Sequence, residues 1–197
     1  DSMKYQIPIG VSDFAEIRKN EYYYVDKTAL IEELLKTSAV KVTLITRPRR
    51  FGKTIGMSML SSFFDIRKDS RELFEGLHVV EDTSLCQEWM NQWPTIFLTF
   101  KKVDGLNFDS AYEMLASVMA DLFNEHSYLL QDERISAYDR EMLERIMNAS
   151  ASMTELKNSL SLMTRVMQIH YGKSVILLLD EYDVPVAKAN QNGYYDA

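Results

Sequence analysis

The sequence predicts an α/β protein, three layers deep as α/β/α, around a mainly parallel sheet. Three observations carry this. Short apolar, β-branched runs at Val40–Thr46, Thr95–Phe100 and Val175–Leu179 read as strands. Long stretches with helical spacing separate them. The last run, Val175-Ile176-Leu177-Leu178-Leu179, is continuously apolar, as a strand covered on both faces should be. Strands joined by helical connections favour parallel pairing.

Each element has its own justification. The lead-in, 1–38, is polar and aromatic up to Val25 and shows no sustained period. Asp26 is placed to cap a helix whose apolar face is Ala29, Leu30, Ile31, Leu34 and Leu35. The core proper, 39–197, opens on the first strand. After the loop Arg47-Pro48-Arg49-Arg50-Phe51-Gly52, the residues Ile55, Met59, Leu60, Phe63 and Phe64 form a helical stripe. Pro94 introduces the second strand. Three helices follow: Tyr112 to Phe123, Met142 to Met147, and Leu156 to Met167. Ser152 and Glu155 form a capping box ahead of the third. The whole is read as one domain.

Composition narrows the function. The chain has 197 residues, 46% of them hydrophobic, which suffices for a buried core without staples. Its 22 Lys and Arg against 29 Asp and Glu give a net charge of -7. There is no general basic field for nucleic acid, so any phosphate site must be local. One cysteine, Cys86, excludes an internal disulfide and reads as a small half-buried residue. His78, His126 and His170 fall in no metal-binding pattern. No apolar run approaches the roughly 20 residues of a membrane span. The first ten residues resemble no signal peptide, and the expected location is the cytoplasm. The 11 methionines read as core filler. Tyr22, Tyr23 and Tyr24 read as a packing cluster in preference to an adenine-stacking platform.

Gly52-Lys53-Thr54 lies between a strand and a helix, the context a phosphate-binding loop requires. A helix N-terminus offers unpaired N–H groups and partial positive charge. Glycine permits close approach of the backbone. Lys53 supplies a mobile charge for the β and γ phosphates, and the Thr54 hydroxyl is a Mg²⁺ ligand. The first glycine of the usual G-x-x-x-x-G-K-[ST] pattern is replaced by Arg47. The expected phosphate cradle comprises Arg49, Arg50, Phe51, Gly52, Lys53, Thr54 and Ile55, with Arg49 or Arg50 touching phosphate. Asp180 ends the third strand, where a carboxylate holding Mg²⁺ through water belongs. Glu181 follows it and is the candidate activator of the attacking water. The sequence therefore predicts a P-loop NTPase that binds ATP with Mg²⁺ and hydrolyses it, with Lys53 and Glu181 as catalytic residues.

The segment Arg47-Pro48-Arg49-Arg50-Phe51-Gly52-Lys53-Thr54 resembles the variant P-loop of the bacterial AAA-ATPase-like family. Leu179-Asp180-Glu181-Tyr182-Asp183-Val184-Pro185 resembles its Walker B segment. Gly10-Val11-Ser12-Asp13-Phe14 and Tyr23-Tyr24-Val25-Asp26-Lys27-Thr28 resemble its opening. The resemblance implies that Arg47 in the loop is normal for the group. It implies kinship with signal-transducing and archaeal-type ATPases, and in many members a nuclease-like domain of the PD-(D/E)xK type further C-terminal. It also implies two strands after Walker B, one of them carrying a sensor residue between the P-loop and Walker B strands. The chain is expected to stop short of these, leaving bare strand edges that invite self-association.

Two other readings use the same residues. One is a nucleotide-gated switch with little or no turnover. The other is the ATPase part of a nucleic-acid-processing protein, in which Asp180, Glu181 and Asp183 gather metal ions. The Glu155-Leu156-Lys157 triplet does not support a nuclease centre here, because it opens a predicted helix. Nucleic acid is thus not an expected partner of this segment, nor is a membrane.

Overall fold

The computed structural model describes residues 10–37, 44–47, 54–103 and 107–183. Three strands, β1 (Leu44–Arg47), β2 (Thr95–Thr99) and β3 (Ile176–Asp180), form one all-parallel sheet in the order β1-β3-β2. The chain is α/β, as the sequence predicts. β3 is the middle strand, and all five of its residues are buried. Its uninterrupted apolar run follows from having a neighbour on each edge and cover on each face. β1 hydrogen-bonds directly to β3, with no intervening strand of the kind the family resemblance implies. Pairing with β3 satisfies backbone groups that burial would otherwise leave without partners.

The chain forms two compact units. In its described residues the first runs up to Ile45, then from Thr54 to Phe97, with Ile176–Leu178. It holds α1 (Phe14–Lys19), α2 (Ala29–Thr37), α3 (Thr54–Phe64), α4 (Arg71–Phe74) and α5 (Thr83–Trp89), with a 3-10 turn at His78–Glu81. The core of this unit is Phe14, Ile31, Met59, Phe63, Phe64, Phe74 and Leu178. Phe74 meets Phe14 with ring centroids 4.9 Å apart and Phe63 at 5.4 Å.

Helix α3 is buried continuously from Met57 to Phe64, including Ser58, Ser61 and Ser62. A helix enclosed all round needs partners for its last carbonyls. Asn91 provides several. Its backbone N–H donates to Phe63 O at 2.7 Å, and its side-chain amide donates to Ser62 O and Asp65 O at 3.0 Å. Ser70 Oγ donates to Ser62 O at 2.6 Å, and Trp93 N–H to Phe64 O at 3.1 Å. Asn91 reaches this position with φ of 57°, a left-handed backbone that asparagine tolerates well.

The lead-in is more ordered than its sequence suggests. Asp13 caps a short helix, α1, by accepting from Ala15 N–H at 3.3 Å. The same carboxylate accepts from Ser58 Oγ at 2.9 Å, and Ser58 Oγ accepts from the Phe14 N–H at 3.0 Å. The chain start is thereby tied to α3. Asp26 does not cap α2. One of its oxygens accepts from Thr28 N–H and Oγ1, the other from His78 N–H at 2.6 Å, and the helix begins at Ala29. Thr28 Oγ1 in turn accepts from Val79 N–H at 3.1 Å. Burial raises the Asp26 carboxyl, but these hydrogen bonds outweigh it and hold the group below the usual carboxylate range.

The second unit holds the described residues Thr46–Arg47, 98–103, 107–175 and Leu179–Asp183. Its helices are α6 (Phe108–Glu125), α7 (Ala137–Met147), α8 (Met153–Lys157) and α9 (Ser159–Tyr171). The capping box is present: Ser152 Oγ accepts from Glu155 N–H, and Glu155 accepts from Ser152 N–H at 2.8 Å. The helix predicted across Leu156–Met167 is broken at Asn158, whose amide donates to Thr154 O at 3.1 Å. That local bond competes with helix continuation. Helix α9 ends at Gly172, which takes a left-handed φ of 66° that favours glycine.

The Ser58 tie yields a stability test. Ser58→Ala removes a donor to Asp13 and leaves the buried Phe14 N–H without its acceptor. Urea unfolding should show a loss of about 1–3 kcal/mol. An unchanged midpoint would mean that the tie contributes nothing.

Candidate functional site

The carboxyl ends of the three strands fall in the second unit, and Asp180 is the last residue of the middle one. Asp180 has no solvent exposure. Its backbone is fixed by the strand, its carbonyl accepting from Phe100 N–H at 2.9 Å. Its carboxylate Oδ2 accepts from Thr99 Oγ1 at 3.0 Å. Thr99 ends the neighbouring strand β2, and its own hydroxyl oxygen accepts from Lys101 N–H at 3.3 Å. A buried carboxylate is costly unless it is hydrogen-bonded or faces a cation.

Glu181 is half-buried and has φ of 54°. Two other left-handed residues, Glu21 and Ala149, lie just past helix ends. There the Tyr22 N–H to Ile17 O and Ser150 N–H to Arg145 O bonds close ordinary helix-terminating turns. Asn91 serves the carbonyls of α3, as described above. Glu181 follows no helix. Its conformation turns the chain away from the strand at the residue after Asp180, at a backbone cost of about 1–2 kcal/mol. Strain of this kind concentrates where a side chain must be aimed.

Thr54 is the first residue of α3, and Ile55 is the second; both are half-buried. Arg49, Arg50, Phe51, Gly52 and Lys53 lie outside the described residues. Of the predicted site, then, the described residues comprise Thr54 and Ile55 at a helix start, and Asp180 and Glu181 at a strand end. Thr99 was not anticipated: a threonine before Lys101-Lys102 carries no motif, and only the pairing of β2 with β3 gives it a role.

Other residues singled out in the sequence have structural roles. Tyr24 packs edge-on against Phe14 at 5.3 Å, and its hydroxyl lies 3.2 Å from Met59 Sδ. Burial pushes its phenol up. Tyr24 is thus a packing residue, as expected. Cys86 is half-buried and donates to Val79 O at 3.3 Å; burial raises its thiol, and Asp82 and Glu32 add to the effect. An open pocket of about 620 Å³ in the first unit is lined by Lys68, Arg71, Cys86 and Gln87 among others, and contains none of the predicted site residues. Among the described residues, no helix is long and apolar enough to cross a membrane.

Residues 8–197 match a family described as "Predicted AAA-ATPase". The chain belongs to the AAA-ATPase-like family. This agrees with the resemblance carried by the loop, strand-end and opening motifs. Among curated proteins, the "Uncharacterized protein in vnfD 5'region" of Azotobacter chroococcum mcd 1 is 27% identical over 184 residues. The match covers 92% of this chain and 30% of that relative, so the chain spans about a third of the relative's length. No solved structure matches. For members of a family of predicted ATPases, nucleotide binding is the general expectation.

The strained backbone gives a test independent of chemistry. Glu181→Gly removes the Cβ clash and should leave stability unchanged or raise it by up to about 1 kcal/mol, after the entropic cost of glycine. A clear fall in the thermal unfolding midpoint would contradict the left-handed conformation.

Proposed function

We propose that this chain binds ATP with Mg²⁺ and hydrolyses it. The observation that carries the reading is the buried Asp180 carboxylate at the carboxyl end of the middle strand of a parallel sheet. In open α/β sheets, ligands bind outside the carboxyl ends of the strands. The neighbouring strand β1 leads into the Gly52-Lys53-Thr54 loop, and a helix begins at Thr54.

The donor set suits the cation. A threonine hydroxyl and a carboxylate are hard oxygen ligands, and Mg²⁺ keeps several waters while taking one or two such groups. Thr54 would bind it directly and Asp180 through water. When bound, Mg²⁺ would supply positive charge that offsets the charge of the terminal phosphates.

The chain's own residues do the rest. Backbone N–H groups of Gly52, Lys53 and Thr54 cradle the phosphates, and Phe51 and Ile55 flank them. Lys53 neutralises the terminal phosphates, and Arg49 or Arg50 adds a further contact. Glu181 accepts a proton from water as the water oxygen attacks the γ-phosphorus; the bond to the bridging oxygen breaks, and ADP leaves. The left-handed backbone of Glu181, directly after a strand end fixed by pairing, supports this role.

Two substitutions separate binding from chemistry. Lys53→Ala should weaken Mg-ATP binding at least tenfold, about 1.4 kcal/mol, by calorimetric titration. Glu181→Gln should leave binding intact and lower turnover by about 10²–10⁴. Unchanged affinity in a folded Lys53→Ala protein would sink the loop assignment. Binding without turnover in the unsubstituted full chain would favour the nucleotide-gated switch.

A further inference from the structure

We infer that Thr99 is a positioning residue for the Mg²⁺ site: its hydroxyl fixes the rotation of the Asp180 carboxylate and so sets the affinity for the cation. This rests on the functional reading above, in which Asp180 holds the metal through water.

A threonine hydroxyl has one proton and two acceptor sites. Lys101 N–H occupies one acceptor site of Thr99 Oγ1. The proton points along the 3.0 Å contact to Asp180 Oδ2. A carboxylate accepts but does not donate, so the hydroxyl is the donor in this bond. Thr99 is therefore committed as a donor to one named oxygen.

The backbone makes the bond rigid. Phe100 N–H donates to Asp180 O at 2.9 Å, so the residue after Thr99 is hydrogen-bonded to the residue the hydroxyl orients. Phe100 and Val103 are fully buried, and Val103 N–H donates to Phe100 O at 2.9 Å, closing a turn directly after β2. Thr99 is β-branched, which restricts its χ1 rotation. The strand, the turn and the restricted rotamer all hold the hydroxyl still. The hydrogen bond restrains the carboxylate from swinging about its Cβ–Cγ bond. Partners of this kind typically govern metal affinity by about 10- to 100-fold.

The role requires a hydroxyl at position 99 and not merely a β-branched residue. Thr99→Val keeps the shape and removes the proton donor. Thr99→Ser keeps the donor and loses a methyl group.

The test measures binding of a fluorescent, non-hydrolysable ATP analogue to the full chain as a function of Mg²⁺ concentration, with a parallel titration in EDTA and a thermal unfolding curve. Thr99→Val should raise the Mg²⁺ concentration for half-maximal enhancement of binding by roughly tenfold, within the range for such partners. Affinity in EDTA should not move, and Thr99→Ser should restore most of the Mg²⁺ response. Thr99→Ala serves where Thr99→Val fails to fold. A purely structural role for Thr99 would lower the unfolding temperature, leave the Mg²⁺ midpoint in place, and overturn the inference. Asp180→Asn is the control that separates the two levels. If it abolishes the Mg²⁺ response while Thr99→Val and Thr99→Ala leave it unchanged, only the positioning role falls. If Asp180→Asn itself leaves the response intact, the site reading falls and the role of Thr99 falls with it.

Discussion

A carboxylate without solvent access, at the end of the most buried strand, constrains everything around it. Asp180 closes a strand whose other residues are Ile and Leu, and burial of its charge is tolerable only with hydrogen-bonding or cationic compensation. Thr99 provides part of that compensation from the adjacent strand. The order β1-β3-β2 makes this possible, because it seats β2 against one edge of β3 and leaves the other edge to β1, the strand that leads into the Gly-Lys-Thr loop. The proposed cation site gives a buried aspartate at this position a use.

The opening motifs serve architecture. Asp13 and Phe14 meet Ser58, one turn beyond Thr54 on α3, while Asp26 and Thr28 hold the backbone of His78 and Val79. Both carboxylates bind backbone N–H groups that would otherwise be orphaned, so these short polar motifs replace helix propensity as the source of order in the lead-in. The Asp13–Phe14 motif also holds the helix that opens with Thr54, the element on which phosphate binding would depend.

The elements legible in the sequence were those with strong periodicity or an uninterrupted apolar run: α3, α6, α7, β2 and β3. The Ser152–Glu155 box was legible because capping is a local interaction. What was missed depended on tertiary partners. Helices α1, α4 and α5 are one or two turns long, too short to show a period. Asp26 resembled a helix cap because its type and spacing were right, but its partner lies far along the chain at His78. The break at Asn158 interrupts an apolar pattern that continues on both sides. At the site, Asp180 and Glu181 were readable as a strand-end acidic pair. Thr99 was not, since its role comes from strand pairing, and the turn at Glu181 leaves no compositional trace in a non-glycine residue.

Asp180, at the carboxyl end of β3, is proposed to hold the cation of a bound nucleotide. Mn²⁺ in place of Mg²⁺ makes that site visible by paramagnetic broadening of nearby backbone amide signals in an NMR spectrum. With Mn-ATP bound, the amides of Thr54 and of Leu179, Asp180 and Glu181 should broaden together, and those lining the Lys68–Arg71–Cys86 pocket should not. Broadening centred on that pocket, or broadening at Thr54 with sharp signals at Asp180 and Glu181, would contradict the account.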